Sequence, residues 1–400
     1  MSTPTSPVPG QSTFGQDRQN AIYLAGLQGK RPSIPVSFEE LESQARSVLS
    51  PEGYGYIAGG AGSEDTMQAN KDAFKQWRIL PRMLRDVSNR SLQSNILGVD
   101  LPAPLLLAPI GVQSIAHPEA EVAVARASVK TRIPMILSTA SSKTLEEVAS
   151  AAGDMPRWFQ LYWGRDPELT ASFLTRAERA GFGAIVVTLD TNLLGWRERD
   201  IQNAYLPFLL GEGIANYLSD PVFRAALPQP PEENPQAAVL HFIRIFTNPT
   251  LTWSDLAFLR SHTHLPIILK GILHREDAQL ALDAGMDGII VSNHGGRQVD
   301  GAVGALSALP GVVDTVAERI PILFDSGIRR GADAFKALAL GAKAVLLGRP
   351  YIYGLALGGE AGVCDVVNNL LTDLDLTMAL SGHTTVATID RNTVVRVSEL

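Results

Sequence analysis

Cysteine is almost missing: Cys364 is the one thiol in 400 residues. That excludes an intramolecular disulfide, leaves no second thiolate for a metal site, and fits a reducing compartment. Long apolar runs are missing too. No uninterrupted stretch approaches the ~20 residues a membrane-spanning helix needs, so no membrane partner is expected. The first residues are Ser, Thr and Pro rather than a basic segment with an apolar core, which points to a soluble, cytoplasmic protein. Charge is mixed: 34 Lys and Arg against 41 Asp and Glu give a net of -7 without blocks of one sign. That composition excludes a nucleic-acid-binding face and leaves small molecules as the expected partners. His262 and His264 form a short His-x-His pair with no matching third ligand, so no metal is expected.

What is present is apolar residue in quantity, 45% of the chain, enough for one large barrel or two ordinary domains. Residues 1–36 are rich in Ser, Pro, Gly and Gln without apolar periodicity, and read as an N-terminal arm, mobile or wrapped on the surface. Residues 37–400 read as one domain. Its N-terminal helical extension covers Phe38–Leu49, continued by Pro51–Ile57 toward the turn at Gly59, Gly60, Ala61 and Gly62. From Pro104 onward, eight apolar runs of strand length alternate with amphipathic segments. The runs are Leu105–Ala108, Pro134–Ser138, Trp158–Tyr162, Ala184–Asp190, Pro266–Lys270, Gly288–Ser292, Pro321–Asp325 and Ala344–Gly348. Helices are expected at Glu119–Val129, Leu145–Ala152, Pro167–Ala180, Arg275–Ala284 and Ala332–Leu340. Eight such pairs in about 250 residues are what a closed (β/α)8 TIM barrel of the α/β class requires; an open doubly wound sheet uses fewer strands. One connection is too long for a simple loop. After the fourth run the chain carries Trp196, Arg197, an apolar stretch Tyr205–Leu210 and the prolines of 228–235, and is expected to form a partly ordered lid over 197–252.

A barrel would bring the polar tips of these runs onto one face. They include Ser138, Gln160, Tyr162, Thr188, Asp190, Lys270, Ser292, His294 and Asp325. Any one strand-end Asp or Ser is more often a helix N-cap than a catalyst; it is the set that reads as a site. Within it, Ser292–Gly301 follows a buried run with a titratable base, two glycines that admit close backbone approach, and Arg297 three residues after His294 to receive an anion. Asp325–Gly331 leads into a helix, and Gly348, Arg349 and Pro350 follow the last strand. Those are the places where barrels commonly hold a phosphate.

Ser292–Gly301, Asp325–Gly331, Gln160–Tyr162, Asp190–Arg197 and Tyr56–Ala61 together resemble the FMN-dependent L-2-hydroxy-acid oxidase family, and the likeness runs from about Phe38 to the last strand. It implies FMN as cofactor, a 2-hydroxy acid such as L-lactate and O2 as reactants, and a homo-tetramer or larger assembly. It also implies roles. His294 is the base, Asp190 its carboxylate partner, Arg197 and Arg297 the carboxylate-binding arginines, and Tyr56 and Tyr162 the substrate-bonding tyrosines. Lys270 lies beside the flavin N1 edge and Pro109, Ile110 and Gly111 beside N5. Ser138, Gln160, Thr188 and Ser292 make polar contacts to the flavin, with Asp325, Gly327, Arg329, Gly348 and Arg349 on the ribityl and phosphate. Ala140 stands where plant-type glycolate oxidases carry tryptophan, so another group must shape that wall. Gly111 and the long segment after Arg197 resemble the lactate 2-monooxygenase branch, which makes oxidative decarboxylation of L-lactate to acetate, CO2 and water the leading expectation. Release of the 2-oxo acid and H2O2 by an oxidase is the alternative.

Overall fold

The structure is a computed structural model and describes residues 13–400. Eight parallel strands close into a barrel: β1 Leu105–Leu107, β2 Met135–Ser138, β3 Arg157–Tyr162, β4 Ile185–Thr188, β5 Ile267–Ile272, β6 Gly288–Val291, β7 Ile322–Phe324 and β8 Ala344–Leu347. Each pairs with its neighbours in sequence, and β8 closes on β1 through Val345–Leu105, Leu346–Leu106 and Leu347–Leu107. All eight coincide with the apolar runs of the sequence. Burial on both faces explains why the strands are mostly apolar: Leu106 points into the barrel with Ile136, Val186, Ile268, Ile290, Leu323 and Leu346, while Leu105 and Leu107 face the helices. A hairpin of Ser94–Ile96 and Val99–Leu101 packs Ile96 and Leu101 against Trp158, Ala184 and Ala344, plugging the end where the strands begin. The opposite end is left for polar residues.

The five expected helices form at Ala120–Thr131, Leu145–Ala152, Pro167–Arg179, Arg275–Asp283 and Gly331–Ala339. The N-terminal extension breaks in two, Phe38–Val48 and Pro51–Ala58, because Ser50 is extended, caps Gly53 and precedes a proline at the first helical position. Of the expected arm, residues 1–12 lie outside the described residues. Within the rest of it, Phe14–Gly26 is a helix docked on the C-terminal helix, with Gly15 N–H donating to Asp375 and Arg18 bonding Asp365 and Asn369.

Between β4 and β5 the chain is helical for much of its length: Glu198–Gln202, Ala215–Leu218, Pro221–Ala225, Pro235–Phe246 and Leu256–His262. Prolines open two of these helices, Pro221 after the N-cap Asp220 and Pro235, the last of the prolines noted in the sequence, after Asn234. This segment is bolted to the loop after β2. The buried Asn216 side chain accepts from Leu145 N–H at 2.7 Å and donates to the Thr139 carbonyl at 3.1 Å.

Candidate active site

β6 ends at Val291, and the chain then turns so tightly that His294 adopts φ +58°, a left-handed conformation that costs a non-glycine residue free energy. Hydrogen bonds hold it there. Ser292 Oγ accepts from His294 N–H at 3.0 Å, and Ser326 Oγ accepts from Asn293 and Gly295 N–H groups at 3.2 and 3.0 Å. Asn293 and Asn70 exchange a pair of amide hydrogen bonds at 2.8 and 2.7 Å. The helix Asp65–Lys75 thereby braces the loop from outside the barrel.

His294 Nδ1 lies 2.7 Å from Asp190 Oδ1. Gly271, at φ +109°, makes room for that carboxylate, since a Cβ there would stand 3.0 Å from Asp190 Cβ. Burial pushes the Asp190 carboxyl up, but His294, Lys270 and the hydrogen bond from His294 outweigh it and hold the group below the usual carboxylate range. An ionised carboxylate only accepts, so Nδ1 carries the proton and Nε2 keeps its lone pair. Nε2 faces Tyr162 Oη at 3.5 Å. For His294, burial lowers the pKa and Asp190 raises it, with Lys270 and Arg197 adding to the lowering; the net is below an ordinary imidazole. The increase in basicity that Asp190 gives the imidazole loses to burial and the surrounding cations.

Those cations converge on one cavity, open to solvent on one side. Tyr56, Pro109, Ile110, Gly111, Tyr162, Arg197, Lys270, His294, Arg297, Asp325, Gly327, Arg329, Gly348 and Arg349 all line it. Arg297 donates to the carbonyls of Tyr56 and Gly59 at 2.6 and 2.8 Å and lies over the Tyr56 ring, 5.0 Å from its centroid. Burial and Arg197 depress its pKa; burial and Arg349 do the same for Arg329. Among the described residues, only Arg197 of these four arginines has a carboxylate within 4.0 Å, Asp200 at 3.9 Å. Arg329 Nε is buried with no partner at all. Two pairs of guanidiniums, largely shielded from water and short of anions, are what a site for a phosphomonoester and a carboxylate needs.

Ser138, Gln160, Thr188 and Ser292 are buried and are not part of the cavity wall. They form two short relays: Ser138 to Gln160 to Thr188 at 3.1 and 2.9 Å, and Lys270 to Ser292 at 3.0 Å, with Lys270 also 3.3 Å from Asp325. Sequence reasoning assigned nothing to Thr191, Phe208, Phe246 or Leu194. Thr191 Oγ1 lies 3.3 Å from both Asp190 Oδ1 and His294 Nδ1; the other three, with Val112 and Ala140, form the apolar wall. The wall beside Ala140 is filled by the β4–β5 segment, because Gly213 lies close to Val112, the Ala140 carbonyl and the Phe208 ring. Proximity in sequence could have found Thr191, next to Asp190. Nothing in the sequence ties Phe208 or Phe246 to a histidine on another strand.

Comparison with known proteins gives the family. The profile of the FMN-dependent dehydrogenase family matches residues 45–396. An L-lactate oxidase of Lysinibacillus sphaericus (strain C3-41) is 48% identical over 375 residues, 94% of this chain and 96% of that protein. An FMN-dependent alpha-hydroxy acid dehydrogenase of Penicillium citrinum is 46% identical over 384 residues, 95% of this chain and 96% of its own length. A crystal structure of mandelate oxidase with (S)-4-hydroxymandelic acid superposes with a TM-score of 0.80 at 40% identity, covering 89% of this chain and 97% of that one. The protein is an FMN-dependent oxidoreductase acting on 2-hydroxy acids. It belongs to the FMN-dependent dehydrogenase family, and FMN is its cofactor. No helix among the described residues is long and apolar enough to cross a membrane.

Proposed function

We propose that the enzyme oxidises a small L-2-hydroxy acid, with L-lactate as the first candidate, to the 2-oxo acid and releases H2O2. The observation that carries the reading is the His294–Asp190 pair, 2.7 Å apart, opening on the cavity that also holds Arg197 and Arg297. The two guanidiniums receive the substrate carboxylate, whose charge they are short of. His294 Nε2 takes the proton as the hydroxy acid is oxidised, and Asp190 stabilises the imidazolium that results. Tyr162 Oη, beside Nε2, holds the substrate oxygen, and the wall of Val112, Ala140, Leu194, Phe208 and Phe246 takes an apolar side chain. Arg329 and Arg349 would hold the FMN phosphate, Asp325 the ribityl chain, and Lys270 the N1 edge, where a fixed cation favours electron uptake. Bound FMN would supply the two-electron acceptor, with O2 as the final oxidant, so that hydroxy acid and O2 become 2-oxo acid and H2O2.

The sequence led toward decarboxylation, on Gly111 and the long β4–β5 segment. The relatives support the oxidase instead, because the L-lactate oxidase at 48% identity spans 94% of the chain, this segment included in its length. One experiment separates the outcomes: aerobic turnover of L-lactate with pyruvate, acetate and H2O2 all quantified. Pyruvate and H2O2 in equal amounts per lactate are expected. Acetate in place of both returns the reading to a monooxygenase, and no turnover with any 2-hydroxy acid tested overturns both.

A further inference from the structure

Gln298 lies within the stretch that begins at Ser292, and its side-chain amide is fully used. Nε2 donates to the carbonyls of Asp190 at 2.6 Å and Leu193 at 2.9 Å. Oε1 accepts from Arg197 Nη2 at 3.0 Å and from Gly195 N–H at 3.4 Å. The opposite amide orientation would set donor against donor and acceptor against acceptor at all four places. The four partners sit on one segment, 190–197, which starts at the carboxylate behind the base and ends at a guanidinium facing the cavity. Backbone packing ties the same two pieces together: a Cβ on Gly195 would lie 2.6 Å from the carbonyl oxygens of both Arg297 and Gln298.

We propose that Gln298 is a positioning residue that sets the Arg197 guanidinium against that of Arg297, and with it the affinity for the substrate carboxylate. This rests on the 2-hydroxy-acid oxidase reading of the site. Arg197 stands where the chain leaves the barrel for the long helical segment, and its other side-chain restraint is one bond from Nε to the Arg297 carbonyl at 3.1 Å. Without the Gln298 amide, its guanidinium is free to turn fully onto Asp200, now 3.9 Å away, where its charge would already be occupied. The base is held by other means: Ser292 and Ser326 fix its loop, and Leu189 N–H bonds the Lys270 carbonyl at 2.9 Å beside Asp190. Loss of Gln298 therefore falls on carboxylate binding and spares proton removal.

The test uses the flavin-loaded Gln298→Ala and Gln298→Glu variants, with oxalate as a carboxylate probe read through the flavin absorbance. In Gln298→Ala, KM for L-lactate and Kd for oxalate should both rise by about tenfold, as for one charge-assisted hydrogen bond. The accompanying fall in kcat should be under about threefold, and the acid limb of the pH profile should not move. Gln298→Glu keeps two acceptors but sets a carboxylate beside Arg197 and against two carbonyls, so it should weaken oxalate further. Unchanged oxalate affinity in Gln298→Ala, or a kcat loss at unchanged KM, would overturn the proposal. Wild-type enzyme that no 2-hydroxy acid bleaches overturns the oxidase reading itself, and the proposal with it.

Discussion

His294 stands under opposed electrostatic demands. A base must be neutral to accept a proton, and burial together with Lys270 and Arg197 keeps it so by lowering its pKa against the pull of Asp190. The sign of the pH dependence follows. Activity is complete where the imidazole is neutral and is lost as the pH falls through its lowered pKa, so the acid limb of kcat/KM should lie below about 6.5, the ordinary imidazole value, with a plateau through neutrality. His294→Gln should keep its flavin and its carboxylate affinity but lose anaerobic flavin reduction by about 10²–10⁴-fold. A limb above the ordinary value, or near-normal reduction in the variant, contradicts the assignment. The histidine and its arginine were legible because they sit in one short stretch beside glycines that only a close backbone approach would require. Asn70 and Gln298 were not, since their contribution is hydrogen bonding across separations of 223 and up to 108 residues, to which local pattern is blind.

At the scale of elements, the eight barrel strands were plain because strands buried on both faces read as continuous apolar runs, each bounded by turn residues. The helices of the β4–β5 segment were harder to read, also for a physical reason. Most of these helices are short, two of them open at prolines, and the short ones gain their order from tertiary contact. Phe208, Tyr217, Phe242 and Phe246 pack there with ring centroids 4.7 to 5.4 Å apart, a cluster drawn from three separate pieces of chain. Asn216 anchors this cluster to the loop after β2, and its removal would leave the buried Leu145 N–H and Thr139 carbonyl without partners. Asn216→Ala should therefore lower stability by about 2 kcal/mol in urea unfolding. Because the anchor lies beside the Ala140 wall, the variant should also show faster proteolytic cleavage between residues 198 and 246. Unchanged cleavage would mean that the segment is held elsewhere.

The whole molecule is closed by contacts between its two ends. Trp77–Ile79 pairs antiparallel with Val394–Arg396, and the Phe14–Gly26 helix lies on the C-terminal helix, which runs Arg349–Leu380 with a break at Gly358 and Gly359. Asp375 is where these meet. Its carboxylate accepts from Arg90 Nε and Nη2 at 3.1 and 3.0 Å, and from Gly15 N–H at 3.1 Å. The ion pair is buried, at 8% exposure for Arg90 and 2% for Asp375. A bidentate pair of this kind gives little over two apolar groups, but breaking it strands a charge away from water. Asp375→Ala should thus lower stability by about 3–5 kcal/mol, measured by chemical unfolding of the flavin-loaded protein. Nothing in this cluster reaches the cavity wall, so the folded fraction should keep kcat and KM for L-lactate. The paired variant Asp375→Leu with Arg90→Met removes both charges together and should recover much of the loss, since no ion is then left unpaired. A double variant no more stable than Asp375→Ala would place the cost in the lost Gly15 contact instead, and a fall in kcat in either variant would mean that the chain ends act on the site after all.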